Sequence, residues 1–131
     1  MQLRAAVIGV VLAGGAVACS SADPSLRMTS PRDGEQVTSP VRVEVELEDF
    51  ELGPAGSFAE DKGHLHVLVD VGCVEPGRSI PGGEGYVHLQ LGEPSAEIEL
   101  EPGEHTLCVQ AGDGTHVALD LSDRVTIEVV E

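Results

Sequence analysis

Val41-Arg42-Val43-Glu44-Val45-Glu46-Leu47-Glu48 alternates without a break between an apolar and a charged residue. An extended chain turns successive side chains to opposite faces. The octet therefore predicts a strand with its valines in a core and its glutamates in water. A calcium site needs carboxylates that converge from loops, and a regular outward row does not converge, so Glu44, Glu46 and Glu48 are read as a solvated face.

The same reading extends in both directions. On the N-terminal side, Ser30 to Pro40 is rich in turn formers, with Asp33-Gly34 the strongest signal, and a short strand around Leu26 to Thr29 precedes it. On the C-terminal side, Gly53-Pro54-Ala55-Gly56 makes Asp49 to Gly63 a loop. Then comes Gly63-His64-Leu65-His66-Val67-Leu68-Val69-Asp70, a strand to Val71 with Leu65, Val67 and Val69 facing the core and His64 and His66 on the other side. Gly72 to Gly85 is irregular, broken by Pro76-Gly77 and Pro81-Gly82-Gly83. Val87, Leu89 and Leu91 form the next apolar set, opposite Tyr86, His88 and Gln90, and Ala96, Ile98 and Leu100 alternate with Glu97, Glu99 and Glu101. Pro102-Gly103 turns the chain into His105 to Ala111, Gly112-Asp113-Gly114 turns it again just before His116, and Val125, Ile127 and Val129 close the pattern. About seven short strands between Gly and Pro turns, with no helical period, predict an all-β fold, an immunoglobulin-like antiparallel β-sandwich.

The N-terminus carries an address. Arg4 precedes an apolar, small-residue run from Ala5 to Ala18, which ends in Ala16-Val17-Ala18-Cys19. A basic start, a short apolar stretch and a small-residue cleavage site make residues 1–18 a secretory signal, shorter than the ~20 residues of a spanning helix. A cysteine directly after the site resembles the bacterial lipobox, although Ala16 stands where Leu is usual. On this reading Cys19 is lipidated, residues 19–27 are a tether, residues 28–131 are the sandwich domain, and the protein is exported and anchored to a membrane by its lipid. The alternative is an ordinary signal peptide cut nearby, leaving Cys19 free.

Composition narrows the partners. Asp and Glu number 23 against 7 Lys and Arg, a net charge of −16. Nucleic acid and anionic lipid headgroups would both be repelled, whereas cation binding, solubility or adaptation to salt all fit. Besides Cys19 the cysteines are Cys73 and Cys108, an even pair expected to be oxidised in an exported protein. Their bridge would be worth at most about 4 kcal/mol in the chain-entropy picture. With 2 Phe, 1 Tyr and no Trp, the core must be built from Val, Leu and Ile.

The chemistry of the chain lies in its 5 histidines. His64 and His66 share a strand face, His88 belongs to a neighbouring strand, and His116 sits on a turn that a sandwich brings near one end of the His64 strand. Imidazole suits copper, zinc or nickel, so His64, His66, His88 and His116 are a candidate metal set, with copper or zinc as the candidate ion. The competing reading is that these histidines merely bond turns and strand ends, and His105, just past Pro102-Gly103-Glu104, is the best case for it.

Enzymatic readings lack parts. Copper-zinc superoxide dismutase needs His and Asp for its zinc half-site, and Cys73 to Gly85 contains neither. A blue-copper centre needs a methionine near its cysteine and histidine, and Met28 is the only one after the leader. No nucleophile elbow or phosphate-binding glycine loop is present. Asp113 with His116 could act as an acid and base, but an aspartate in such a turn is ordinarily there for the turn.

Several short motifs, in order, resemble the bacterial exported family of unknown function numbered 4399. They are Pro31-x-Asp33-Gly34 before the Val41 strand, Gly63-His64-x-His66 running into Asp70, Ile80-Pro81, His88, Pro102-Gly103-x-His105-Thr106-Leu107, and Gly112-Asp113 with His116. The resemblance spans residues 28 to 131 and implies a small β-sandwich in the cell envelope, with no activity attached. Family members often carry a third histidine where this chain has Leu65, and an aromatic-Gly pair where it has Leu89 and Gln90. The sequence thus leads to a non-enzymatic envelope lipoprotein whose histidines either bind a transition metal or serve a structural or protein-interaction module, with an unidentified envelope protein as the alternative partner. A metal-dependent enzyme is the remotest reading.

Overall fold

The computed structural model describes residues 23–54, 62–89 and 92–131. The leader, Cys19 and the first part of the tether lie outside the described residues, as do Gln90, Leu91 and the middle of the loop after Asp49. Nine strands run through the described residues: β1 (Ser25–Ser30), β2 (Gln36–Thr38), β3 (Val41–Glu48), β4 (Glu51–Leu52), β5 (Lys62–Val69), β6 (Tyr86–His88), β7 (Ser95–Ile98), β8 (Gly103–Gly112) and β9 (Ala118–Val130). The expected β-sandwich is present, with two strands beyond the expected number. Both additions, β2 and β4, are two or three residues long and pair in parallel with β9 and β5 respectively. Runs that short leave no period to read.

The smaller sheet has the order β1-β3-β7. The larger has the order β2-β9-β8-β5-β4, with β6 also paired to β5. The alternating octet is β3, at the centre of the smaller sheet, where Val41 and Val43 are buried and Arg42, Glu46 and Glu48 are exposed. Its inner face meets Leu65 and Val67 of β5, Leu107 and Val109 of β8, and Ile127 and Val129 of β9. Burying each such side chain is worth about 1.5–3 kcal/mol, so this mainly aliphatic interior, with Phe50 half-buried at its margin, holds the two sheets together.

The Asp33-Gly34 turn ties the chain's start to β9. Asp33 Oδ1 accepts from the Thr126 amide at 2.8 Å, and the Gly34 amide donates to the Thr126 carbonyl at 2.7 Å, with Gly34 at φ 80°. A left-handed φ of that kind is why glycine stands there.

The larger sheet is buried on its outer face as well. In the β5–β8 ladder His64 faces Gly112, His66 faces Gln110 and Leu68 faces Cys108, and β6 adds His88 opposite His66. Over this face runs the 71–85 segment, fastened by the Cys73–Cys108 disulfide across a separation of 35 residues. The Gln110 side chain clamps the same segment, accepting from the Val74 amide at 2.8 Å while its Nε2 donates to the Val74 carbonyl at 2.7 Å. Farther along, Gly77 donates to the Ala118 carbonyl, Ala118 to the Arg78 carbonyl and Ile80 to the His116 carbonyl. An outer face that would otherwise meet water thus becomes a second, smaller interior.

Candidate metal centre

His64 and His66 are placed by the period of β5, whose other face is committed to the core. The overlying segment then removes them from solvent, leaving them 0% and 2% exposed. His88 arrives from β6 at the register position of His66. His116 comes from the turn that joins β8 to β9. Asp113 Oδ1 organises that turn by accepting from the Thr115 amide, the Thr115 hydroxyl and the Val117 amide at 2.7–3.0 Å. The turn holds His116 at φ 65°, a left-handed conformation uncommon for a side-chain-bearing residue.

All four candidate ligands converge. Ring centres lie 4.7 Å apart for His64 and His66, 4.5 Å for His64 and His88, 4.9 Å for His64 and His116, 4.5 Å for His66 and His88, 4.5 Å for His88 and His116, and 5.8 Å for His66 and His116. One donor nitrogen from each of His64, His66 and His88 falls within 4.8 Å of the others. His105 stands apart from this cluster, as its position at a strand start suggested.

The cluster is unsatisfied as a set of hydrogen-bonding groups. Both ring nitrogens of His64, together with Nε2 of His66 and Nε2 of His88, are buried with no hydrogen-bond partner. Leaving a buried polar group unpaired costs about 1–3 kcal/mol, so structural histidines normally find a carbonyl or carboxylate. These rings instead turn their nitrogens toward one another. Burial, and then the nearness of His88 and His116, lowers the pKa of His64 to about 4. Burial, and then the other three rings, lowers that of His66 to about 3, and burial followed by His116 lowers that of His88. Neutral imidazole is the form that offers a lone pair to a metal.

Two residues that complete the site were not legible as such in the sequence. Gln110 read as one residue of a strand, although an amide within Leu107-Cys108-Val109-Gln110-Ala111 stands in the same outward register as Cys108. Gly112 read only as a turn residue. A Cβ there would come within 3.0 Å of His66 Nε2 and 3.3 Å of the Ile80 side chain, so its hydrogen makes room for the imidazole.

A family model, that of the domain of unknown function DUF4399, matches residues 43–130. The chain belongs to this family. The DUF4399 match takes in the four clustered histidines, both bridged cysteines, Gln110 and Gly112, while the Pro31-x-Asp33-Gly34 turn precedes its first residue. No curated protein and no solved structure matches the chain.

His105 does a different job in this DUF4399 domain. Its Nδ1 lies 2.7 Å from Asp70 Oδ2 and its Nε2 lies 2.7 Å from the Glu101 carbonyl. A carboxylate and a carbonyl only accept, so the imidazolium form, which donates from both ring nitrogens, is the one that fits this pair of partners. The bond to Asp70 raises the His105 pKa, with partial burial opposing it. Partial burial pushes Asp70 upward, but its bonds from His105 and from the Thr106 amide outweigh this and leave it below the usual carboxylate range. This pair fastens the end of β5 to the start of β8.

Proposed function

We propose that this DUF4399 domain binds one transition-metal ion through His64, His66, His88 and His116, with copper and zinc as candidates, and that it does so at the cell envelope, held there by a lipid on Cys19. The observation that carries the reading is the group of four neighbouring imidazoles, three of which, His64, His66 and His88, have buried, unpartnered nitrogens. A metal would take up one such nitrogen from each ring, and the lowered pKa values of His64, His66 and His88 reduce competition from protons. The net charge of −16 raises the local concentration of any cation.

A full set of four protein ligands leaves no position for water or substrate, which is the mark of a holding site more than of a catalytic one. Storage, sensing or transfer of the ion follows, without an enzymatic step. One observation favours a second reading. The donor atoms of His64, His66 and His88 form the tighter group, and three histidines with water in the fourth place is a catalytic pattern.

The test is calorimetric titration of the full chain with copper, zinc and nickel, beside the His64→Ala, His66→Ala double variant and His116→Ala. Tight one-to-one binding that is lost in the double variant and strongly weakened in His116→Ala supports the four-ligand holding site. Binding indifferent to His116 supports the three-ligand alternative. Absence of binding refutes both and leaves a structural or protein-interaction module.

A further inference from the structure

We infer that the histidine cluster is shaped for a tetrahedral ion, zinc(II), and works against the square-planar preference of copper(II) and nickel(II). The inference rests on the metal-binding reading above and adds the coordination geometry to it.

The six ring-centre separations decide the shape. Four points at the corners of a square have two long separations, belonging to the two opposite pairs and about 1.4 times the sides, whereas a tetrahedron has six equal ones. Here His66 and His116 are 5.8 Å apart, but the opposite pair, His64 and His88, is 4.5 Å apart, as short as any side. The remaining four separations are 4.5–4.9 Å. One lengthened edge with a short opposite edge is a stretched tetrahedron. The size fits as well, because rings that each reach a zinc ion through one nitrogen at about 2.0–2.1 Å have centres about 5 Å apart.

The backbone enforces this arrangement. His64 and His66 are fixed two residues apart on β5, His88 is fixed by its register opposite His66, and His116 approaches from the β8–β9 turn. The His66 and His88 rings are parallel within 4°, so one of them must turn about its Cβ–Cγ bond to share an ion. Half-buried His88 is freer to do so than His66.

Among the described residues the donor set also disfavours a softer tetrahedral ion. Copper(I) favours thiolate and thioether ligands. Cys73 and Cys108 are joined to each other, and Met28 is buried in the main core on the other side of the sheet. Four neutral imidazoles suit borderline zinc instead.

Cobalt(II) substitution of the full chain, followed by competition between zinc and nickel, tests the geometry. The expected result is the intense visible absorption of four-coordinate cobalt, together with a preference for zinc over nickel of at least roughly tenfold, where an unconstrained imidazole set gives zinc no such advantage. Faint six-coordinate cobalt bands, or nickel held as tightly as zinc, would overturn the tetrahedral assignment while leaving metal binding intact. Failure of cobalt, zinc and nickel alike to bind would overturn the metal-binding reading itself, and this inference with it.

Discussion

His66 of β5 and His88 of β6 stand directly opposite each other in an antiparallel ladder, their rings 4.5 Å apart and parallel within 4°, with Nε2 of each buried and unpartnered. Strand pairing thus builds half of the candidate centre before any loop is considered. It also holds together two rings whose Nε2 atoms find no hydrogen-bond partner.

That arrangement predicts a conflict between stability and binding. In His64→Leu two orphaned nitrogens are replaced by an apolar side chain in a site already closed to solvent. The metal-free variant should be as stable as the parent or more stable by about 1 kcal/mol, since removing an unsatisfied buried group relieves its desolvation penalty. Zinc at about 100 times its Kd should stabilise the parent by about 2.7 kcal/mol and leave the variant unmoved. Urea unfolding of both proteins, with zinc and with a chelator, measures the two effects.

Acid should weaken the metal-free protein through the same residues. The folded-state pKa values of His64 and His66 are depressed to about 4 and about 3, so the native state prefers these rings neutral. The unfolded chain binds protons first, near the ordinary imidazole value of about 6.5, and stability falls as pH is lowered from there toward about 4. Unfolding midpoints in chelator between pH 8 and pH 4 should follow that slope, and the slope should flatten in a His64→Leu, His66→Leu variant.

Gly112→Ala should separate the site from the fold. The added methyl would press on His66 Nε2 and the Ile80 side chain. Overpacking of this kind costs about 1–3 kcal/mol of stability. Metal affinity should fall roughly tenfold or more, about 1.4 kcal/mol, because the displaced ring is a ligand. Circular dichroism should remain that of the parent.

Strand alternation made β3, β5 and the end of β9 readable, because each has one face in the main core. The same alternation put His64 and His66 on one face, and turn residues located His116. What the sequence did not disclose was that this face is buried. The cover depends on the irregular 71–85 segment, whose position is set by a disulfide and by the amide of Gln110, contacts without a period. The convergence of His88 and His116 likewise follows from strand order, which local patterns leave open. β2 and β4 were missed because parallel pairing of two or three residues depends on the partner strand alone.

The His105–Asp70 pair should titrate in the opposite sense to the cluster. His105 has a raised pKa in the folded protein, so its contribution is full below about 6.5 and is lost as pH rises through the folded value. Asp70 is depressed, so its contribution is present above the ordinary carboxylate range and lost as pH falls below it. The pair therefore works best in mildly acidic solution. With Asp70 48% exposed at its side chain, the coupling should be about 1 kcal/mol or less. A double-mutant cycle with His105→Gln and Asp70→Asn at pH 5.5 and pH 9 should give measurable coupling at the first pH and almost none at the second.

X-ray absorption at the zinc edge of the loaded full chain tests most directly whether four histidines hold one ion. The expected first shell is four nitrogens at about 2.0–2.1 Å, with the outer-shell scattering of four imidazole rings. A shell dominated by oxygen, or one with only one or two imidazoles, would contradict it.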